Sequence, residues 1–433
     1  MVCRRFVAVL VAAGFWPVAE PAYSQSMPAG AISTAPKLAI TGADEVLAIV
    51  PGKTGVVDPY AAAGIKLGGI VLHPSLTIGP AATSNLLQAS PGAKSAIGIG
   101  IQPSLDFESD WVRHSWTGTA NFDVVRYFDE SDVKSQSGEV SSRFRLDIRR
   151  DTRAEFEAGY VLDQTGLGNS EVPLNAVGLQ TQNILAGTVA LIHDFGPLEA
   201  RIRAGAGWNI YDDVKLAGGG SEDNSDRDYV EPLLSVRATF TGPPVFKPYL
   251  QANYMPRHYR QKYDRNGLQR SSQGYGAAAG LVIDNGPLWS GDMALTYLWR
   301  DYRDQALNDN SALGFIGSLT WSPTELTAIV LAMGTSLPDS ISTTSSGFRD
   351  WTGQLDLTYA VRDNVDVLAG AGVTLEKGGA TDDVTYDVNF GVDWKLSPSL
   401  AWTAGYDFTW LNAATSGRSY AEHQLSLGIT LSR

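Results

Sequence analysis

Residues 394–411 read WKLSPSLAWTAGYDFTWL. Leu400, Trp402, Ala404, Tyr406, Phe408 and Trp410 take every second position, with Ala401, Thr403, Gly405, Asp407 and Thr409 between them. A period of two marks a strand with one apolar face and one polar or small face. The alternation recurs along the chain. Leu198, Ala200, Ile202, Ala204, Ala206, Trp208 and Ile210 alternate with Glu199, Arg201, Arg203, Gly205, Gly207 and Asn209. It returns at 97–107, 143–149, 384–396 and 423–433. Helical i, i+3, i+4 spacing is hard to find past residue 65.

The connections alternate in length. Short ones, such as Asp194-Phe-Gly-Pro-Leu198, Asp284-Asn-Gly-Pro-Leu288 and Leu396-Ser-Pro-Ser-Leu400, carry the residues that hairpin turns need. Long polar ones lie around 80–96, 163–181, 212–228, 338–349 and 377–382. Eight short turns and nine long loops predict eighteen strands across 65–433. Sixteen is the alternative, because Pro74 and Pro80 interrupt the first strand. Long strands joined by short turns at one end and long loops at the other predict an all-β, transmembrane, antiparallel up-and-down barrel, with the turns periplasmic and the loops extracellular. A soluble sandwich or propeller also alternates, but strands in soluble sheets typically run about five or six residues.

In such a barrel the apolar face meets lipid, the polar face lines the interior, and closure pairs every backbone group. Trp402 and Trp410 are eight residues apart. At roughly 3.3 Å per residue and a tilt near 40° they differ by about 20 Å in height, close to the apolar band of roughly 25 Å whose edges carry aromatic girdles. Trp394, across a short turn, is expected to share the periplasmic girdle with Trp402, leaving Trp410 for the other edge.

Composition narrows the function. The net charge of −13, with no dense Lys/Arg tract, argues against a nucleic-acid partner. No apolar run of 18 residues follows the N-terminus, so helical spans are not expected. Arg4 and Arg5, the apolar run Phe6 to Trp16 and the small-x-small Ala22-Tyr23-Ser24 predict a signal peptide over 1–24. Residues 25–64 are then a periplasmic segment or a plug for the lumen. The single cysteine, Cys3, falls in the leader, so no disulfide or thiolate metal site is expected in the mature chain.

Candidates for chemistry are few. His73, His114, His193, His258 and His423 are scattered without metal-ligand spacing. His114 and Ser115 are neighbours, but adjacent strand residues point to opposite faces and cannot form a nucleophile–base couple. The acidic loop 212–228 lacks the ligand spacing of a calcium loop and reads as a solvated external loop. No cofactor, metal site or catalytic residue is expected, and the protein is not expected to be an enzyme. Arg143, Arg145 and Arg149 fall on the non-lipid face of one strand, Arg201 and Arg203 on another, and Arg237 and Arg257 on two more. An arginine facing lipid at the midplane costs about 2–4 kcal/mol, which forces these side chains inward as pore-lining candidates. One reading is a basic ladder that selects anionic solutes. The other is a wall whose arginines pair with Asp147, Glu155, Glu157, Glu199 and Glu231.

The segments Asp58-Pro-Tyr60, Gly64-Ile-Lys-Leu-Gly-Gly-Ile-Val-Leu-His-Pro-Ser-Leu76, Gln102-Pro-Ser-Leu105, Trp111-Val-Arg-His-Ser115, Arg143-Phe-Arg-Leu-Asp-Ile-Arg-Arg-Asp-Thr152, Asp194-Phe-Gly-Pro-Leu198 and Trp321-Ser-Pro-Thr324 occur in an order that resembles the putative beta-barrel porin 2 family, from about residue 60 to the end. The resemblance implies an outer-membrane barrel of Gram-negative bacteria and brings no substrate or catalytic residues. The chain departs in ending Leu431-Ser-Arg433, without a terminal aromatic. The expected function is passive diffusion of small hydrophilic solutes across the outer membrane after leader cleavage. Lipid, lipopolysaccharide and the barrel-assembly machinery are the expected partners, and the oligomeric state is left open. The alternatives are an export-accessory or structural barrel with a plugged lumen, for instance exopolysaccharide-related, and an outer-membrane hydrolase.

Overall fold

A computed structural model describes residues 59–433 except 131–132, 134, 341–345 and 379–380. The expected leader and all but the last six residues of the 25–64 segment lie outside the described residues. The wall is built from eighteen long strands: β1 Ile70–Thr83, β2 Ala96–Ser109, β3 Ser115–Tyr127, β4 Ser135–Asp147, β5 Thr152–Thr165, β6 Gln180–Asp194, β7 Leu198–Tyr211, β8 Tyr229–Phe240, β9 Phe246–Tyr254, β10 Ser272–Asn285, β11 Trp289–Tyr302, β12 Asn310–Thr324, β13 Thr327–Ser336, β14 Arg349–Arg362, β15 Val365–Gly378, β16 Thr381–Ser397, β17 Leu400–Asn412 and β18 Tyr420–Ser432. Each pairs antiparallel with its sequence neighbours, and β18 pairs with β1 to close the ring. With no long edge left, the wall satisfies its own backbone.

The alternation of the sequence becomes two surfaces. On β16, Tyr386, Phe390, Val392 and Trp394 are exposed on the outside, while Asp383, Thr385, Asp387, Asn389 and Asp393 are buried within the ring. On β18, Leu425, Leu427, Ile429 and Leu431 face out, and Glu422, Gln424 and Thr430 face in. Forty large hydrophobic side chains on the eighteen strands would be stranded in water by this pattern if the surroundings were not apolar. The outer face is therefore a lipid-facing surface.

The first strand tolerates its prolines through position. Pairing of β1 with β18 skips Gly79 and Pro80, so the absent Pro80 N–H falls where the ladder is already interrupted. A Cβ at Gly79 would lie 1.9 Å from the Leu427 carbonyl oxygen, so glycine alone permits this approach. Pro74 lies at the bottom of the seam and accepts the Arg433 N–H at 3.1 Å. Ile65–Leu67 pairs back on Leu72, Val71 and Ile70, below the last residues of β18. Both described chain ends thus lie at the short-turn rim.

The eight short turns fall where the sequence placed them, and eight of the nine connections at the opposite rim are long. The exception corrects an expectation. The loop expected at 377–382 is a tight hairpin, because β15 and β16 stay paired out to Gly378 opposite Thr381. Several long loops fold over or into the mouth. Leu86 of the first loop is buried against Ala81, Val125 and Tyr127, and a second cluster joins Ala89, Leu167, Val172, Ala176 and Val214 from three loops.

Candidate functional site in the lumen

Two aromatic belts fix how the barrel sits. At the short-turn rim, Trp394 stands opposite Trp402 in register, Trp289 stacks on Trp321 with centroids 5.3 Å apart, and Trp116 packs on Phe107 and Trp111. At the long-loop rim, Trp410 stacks on Tyr386 at 5.3 Å and Trp299 on Tyr275 at 5.2 Å. Trp208 and Trp351 lie at the same rim, near strand ends. Every tryptophan among the described residues belongs to one belt or the other, which is the placement expected at the edges of an apolar band.

Inside, β4 to β11 form a wall of ion pairs. Arg143 Nε donates to Glu157 Oε1 at 2.7 Å across neighbouring strands in register. Arg145 donates to Asp147 at 2.9 Å on its own strand. Arg201 lies 3.7 Å from Glu155, and Arg203 is buried two residues on. Arg237 stands opposite Arg201, donates to Asp292 at 2.7 Å and covers the Tyr249 ring at 3.5 Å; the Tyr249 hydroxyl donates to the same carboxylate at 2.5 Å. Arg149 is the exception among the sequence candidates. β4 ends at Asp147, and Arg149 is exposed in the following turn, outside the inward row. The turn continues the strand's alternation by one step, which is why the sequence suggested otherwise.

Near the mouth the pairs become a compact latch. Arg257 donates to Glu231 at 2.8 Å through Nε and lies 2.7 Å from Asp339 through Nη1. Arg300 donates to Glu231 at 3.0 Å and to the Ser272 hydroxyl at 3.0 Å. The Tyr259 and Tyr302 hydroxyls donate to the two oxygens of Asp339 at 2.5 and 2.6 Å. Asp339 belongs to the loop between β13 and β14, so this cluster ties that loop to the wall. Burial alone would raise the Asp339 carboxyl, but Arg257, Arg300 and the two phenols hold it below the usual carboxylate range.

Sequence reading missed Arg153, Arg300, Asp292 and Asp339. Arg153 donates to Glu199 at 2.7 Å and lies 3.6 Å from Glu155. For Arg300 a signal existed: Tyr297 and Trp299 face out, so the parity of β11 turns Arg300 in. For Asp339 there was none, because a loop has no parity.

The remaining inner surface differs in sign. On β14 to β18, Asp350, Asp356, Asp366, Glu376, Asp383, Asp387, Asp393, Asp407 and Glu422 occupy inward positions together with Lys395, and Arg418 of the last loop acts on Asp383. Lys395 lies 3.3 Å from Asp366. Between the walls, in the outer half of the lumen, is a cavity of about 370 Å³. Seven carboxylates and three arginines line it, together with neutral polar and apolar groups such as Gln182, Tyr211, Thr385, Phe348 and Leu411.

The loop over 166–179 gathers the mouth. The Leu167 N–H donates to Leu87 O at 2.9 Å, and Arg418 donates to the carbonyls of Leu167, Asn169 and Val172. The Ser340 hydroxyl donates to Glu171 at 3.2 Å, and Arg227 lies 3.9 Å from the same carboxylate. The acidic loop 212–228 is tied to the loop that follows β9. Arg265 donates to Asp226 and Glu222 and to the Asn224 side chain. Burial would raise the Asp226 carboxyl, but these Arg265 bonds hold it low. Among the described residues no group of three or more His, Cys, Asp or Glu is arranged to hold a metal ion. Three of the histidines have local structural bonds: His114 Nδ1 accepts the Asp147 N–H at 3.1 Å, and His193 and His423 bond to Thr152 and Tyr406.

Similar solved structures include the siderophore receptor PiuA from Acinetobacter baumannii, with 10% identity, 86% of this chain and 82% of that chain covered, and a TM-score of 0.39. OccK3 (OpdO) of Pseudomonas aeruginosa has 11% identity, coverage of 83% and 96%, and a TM-score of 0.40. The outer membrane protein opdK of Pseudomonas aeruginosa has 10% identity, coverage of 84% and 99%, and a TM-score of 0.39. No curated protein matches the chain. The family model described as putative beta-barrel porin 2 matches residues 58–433, and with a closed eighteen-strand wall, two aromatic belts and a polar interior the chain belongs to that family of outer-membrane, porin-like barrels.

Proposed function

We propose that the protein is a passive channel of the outer membrane, through which small hydrophilic solutes move down their gradient. The observation that carries this reading is the polar inner face around an internal cavity, in a ring of eighteen strands, a number at which porin barrels leave an aqueous channel. A wall this rich in charge needs a wet lumen, because a buried charge without water or a partner costs several kcal/mol. Nothing in the reading requires energy coupling, a cofactor or a covalent step. The test is single-channel recording of purified, folded protein in a planar bilayer. Stable open steps support it; a barrel that folds and inserts but never conducts rejects it.

A second reading has its own observation. Loops 84–95, 166–179, 337–348 and 413–419 are bonded to one another or to the wall across the external mouth. That narrowing suits an export-accessory or structural barrel held closed until a partner engages it. Under this reading the same recordings show silence in the isolated protein and openings only once the loop contacts are cut.

A further inference from the structure

We propose that the wall holds a lateral portal, in its outer half between β12 and β14, through which single-chain amphiphiles pass between the lumen cavity and the membrane. This route is independent of conduction along the barrel axis.

The portal begins where β13 leaves the ring. β12 pairs with β11 from Asn310 to Trp321, but on its other side the registered pairs with β13 stop at Gly317 opposite Met333. Beyond that rung β13 bends inward. Thr335 shares the parity of Leu331, which stands opposite the exposed Leu355 in register, yet Thr335 is buried. It lies against the inner side of β12, where a Cβ at Gly314 would collide with its hydroxyl. The chain then continues inside the mouth: Leu337 packs with Leu233, Met255, Leu298 and Ala312, and Asp339 reaches the latch.

Side chains stand in for the missing rungs. The Thr335 hydroxyl donates to the Phe315 carbonyl at 2.9 Å, the Trp351 indole N–H to the Leu313 carbonyl at 2.9 Å, and Arg349 Nε to the Ser311 carbonyl at 2.7 Å. Three alternate carbonyls of β12 are thus capped from β13 and β14. An unpaired carbonyl facing lipid is costly, so a gap at this height needs such caps. Both lips are held from behind, β12 by β11 up to Asn310 and β14 by β15 up to Arg349 opposite Lys377. The caps can therefore swing away while the two ladders stay whole.

The cavity reaches the inner side of the gap, where Leu298, Ile316, Gly334, Thr335 and Leu337 line it. On the outside the gap meets the membrane at the aromatic belt, the level at which acyl chains give way to head groups. The passage fits one class of solute. Its apolar lining takes a hydrocarbon tail. The carbonyls of Ser311, Leu313 and Phe315, once uncapped, take a head that donates a hydrogen bond. A single-chain alcohol or protonated acid supplies both, and a hydrated ion supplies neither.

The experiment uses decanol carrying a diazirine in its tail, added to the full chain reconstituted in lipid vesicles, irradiated and mapped by peptide mass spectrometry. Label is expected on Leu298, Ile316 or Leu337 inside the ring as well as on the lipid-facing Leu313 and Leu355. The inside share should rise several-fold in Trp351→Ala. It should not rise in Trp410→Ala, which removes a belt tryptophan whose strand is paired in register on both sides. Because Trp351→Ala could fail to insert, Trp351→Phe is measured too; it removes the indole N–H, keeps a ring, and should give a smaller rise. Label confined to the lipid face in the parent and in both Trp351 variants overturns the portal. So does inside label that neither Trp351 variant changes, because the probe then enters by the mouth.

Discussion

Between β4 and β11 the inner face of the barrel mixes guanidiniums and carboxylates in near-equal numbers, while between β14 and β18 it holds nine carboxylates and one lysine. Both walls belong to one ring and share one alternating pattern, yet they do different work. On the paired wall Arg143 reaches a partner one strand away, and Arg237 reaches from β8 to Asp292 on β11. Such bonds fix the geometry of the wall and cancel its charge. On the carboxylate wall the bonds run to other groups: the Thr409 hydroxyl donates to Asp387 at 2.9 Å, the Ala414 N–H to Asp383 at 2.8 Å and the Thr83 hydroxyl to Glu422 at 2.9 Å, while Lys395 lies 3.3 Å from Asp366. The first wall is a brace of ion pairs; the second is the more acidic face of the lumen.

If this division holds, damage should be unequal. The largest loss is expected for Glu231→Gln, which leaves Arg257 and Arg300 buried with one carboxylate in place of two. Breaking a buried ion pair by removing one partner typically costs about 3–5 kcal/mol. Denaturant unfolding in detergent, followed by the loss of β-type circular dichroism, measures it; a cost near zero would mean that the latch is not a brace.

Acid should act next on the same latch. The Asp339 carboxyl is held below its ordinary value in the folded protein. A group with a lowered folded value adds stability above the unfolded value, about pH 3.9, and loses it as pH falls through the folded value. Unfolding midpoints should therefore be flat in Asp339's contribution from neutral to about pH 5, and decline below about pH 4. In Asp339→Asn that share of the decline should be absent, which a pH series on both proteins checks.

The smallest effect on stability is expected on the carboxylate wall. Asp387→Asn keeps the shape and its bond from the Thr409 hydroxyl, donated at 2.9 Å in the parent. Its cost should stay within about 1 kcal/mol, the usual net worth of one hydrogen bond. A loss as large as that of Glu231→Gln would erase the distinction between the walls.

Much of this was legible in the sequence, for a physical reason. In a lipid-facing barrel the parity of a residue decides which solvent it meets, so Trp394, Trp402 and Trp410 and the inward arginines of β4, β7 and β8 could be placed from alternation alone. Partners one strand away were legible too: Arg143 and Glu157 are directly opposite in register, and both readings of the arginines were open until that register was known. Three things were not legible. Parity runs on past the end of a strand, which misplaced Arg149. Contacts several strands apart depend on tilt and side-chain length, which hid the Arg237–Asp292 pair. Loops have no parity at all, which hid Asp339, although Arg257, Tyr259 and Tyr302 all converge on it.

The central claim is that one face of each strand looks onto a water path and the other onto lipid. The chain's single cysteine is Cys3, within the expected leader, so single cysteines can be introduced without background. The most direct measurement places them one at a time at 384–392 of β16, in protein reconstituted in lipid vesicles, and follows labelling by a charged, water-soluble thiol reagent. The account predicts reaction at 385, 387, 389 and 391, protection at 384, 386, 388, 390 and 392, and a fall in conductance on modification of the reactive set. Reaction on the opposite parity, or no period of two at all, would contradict it.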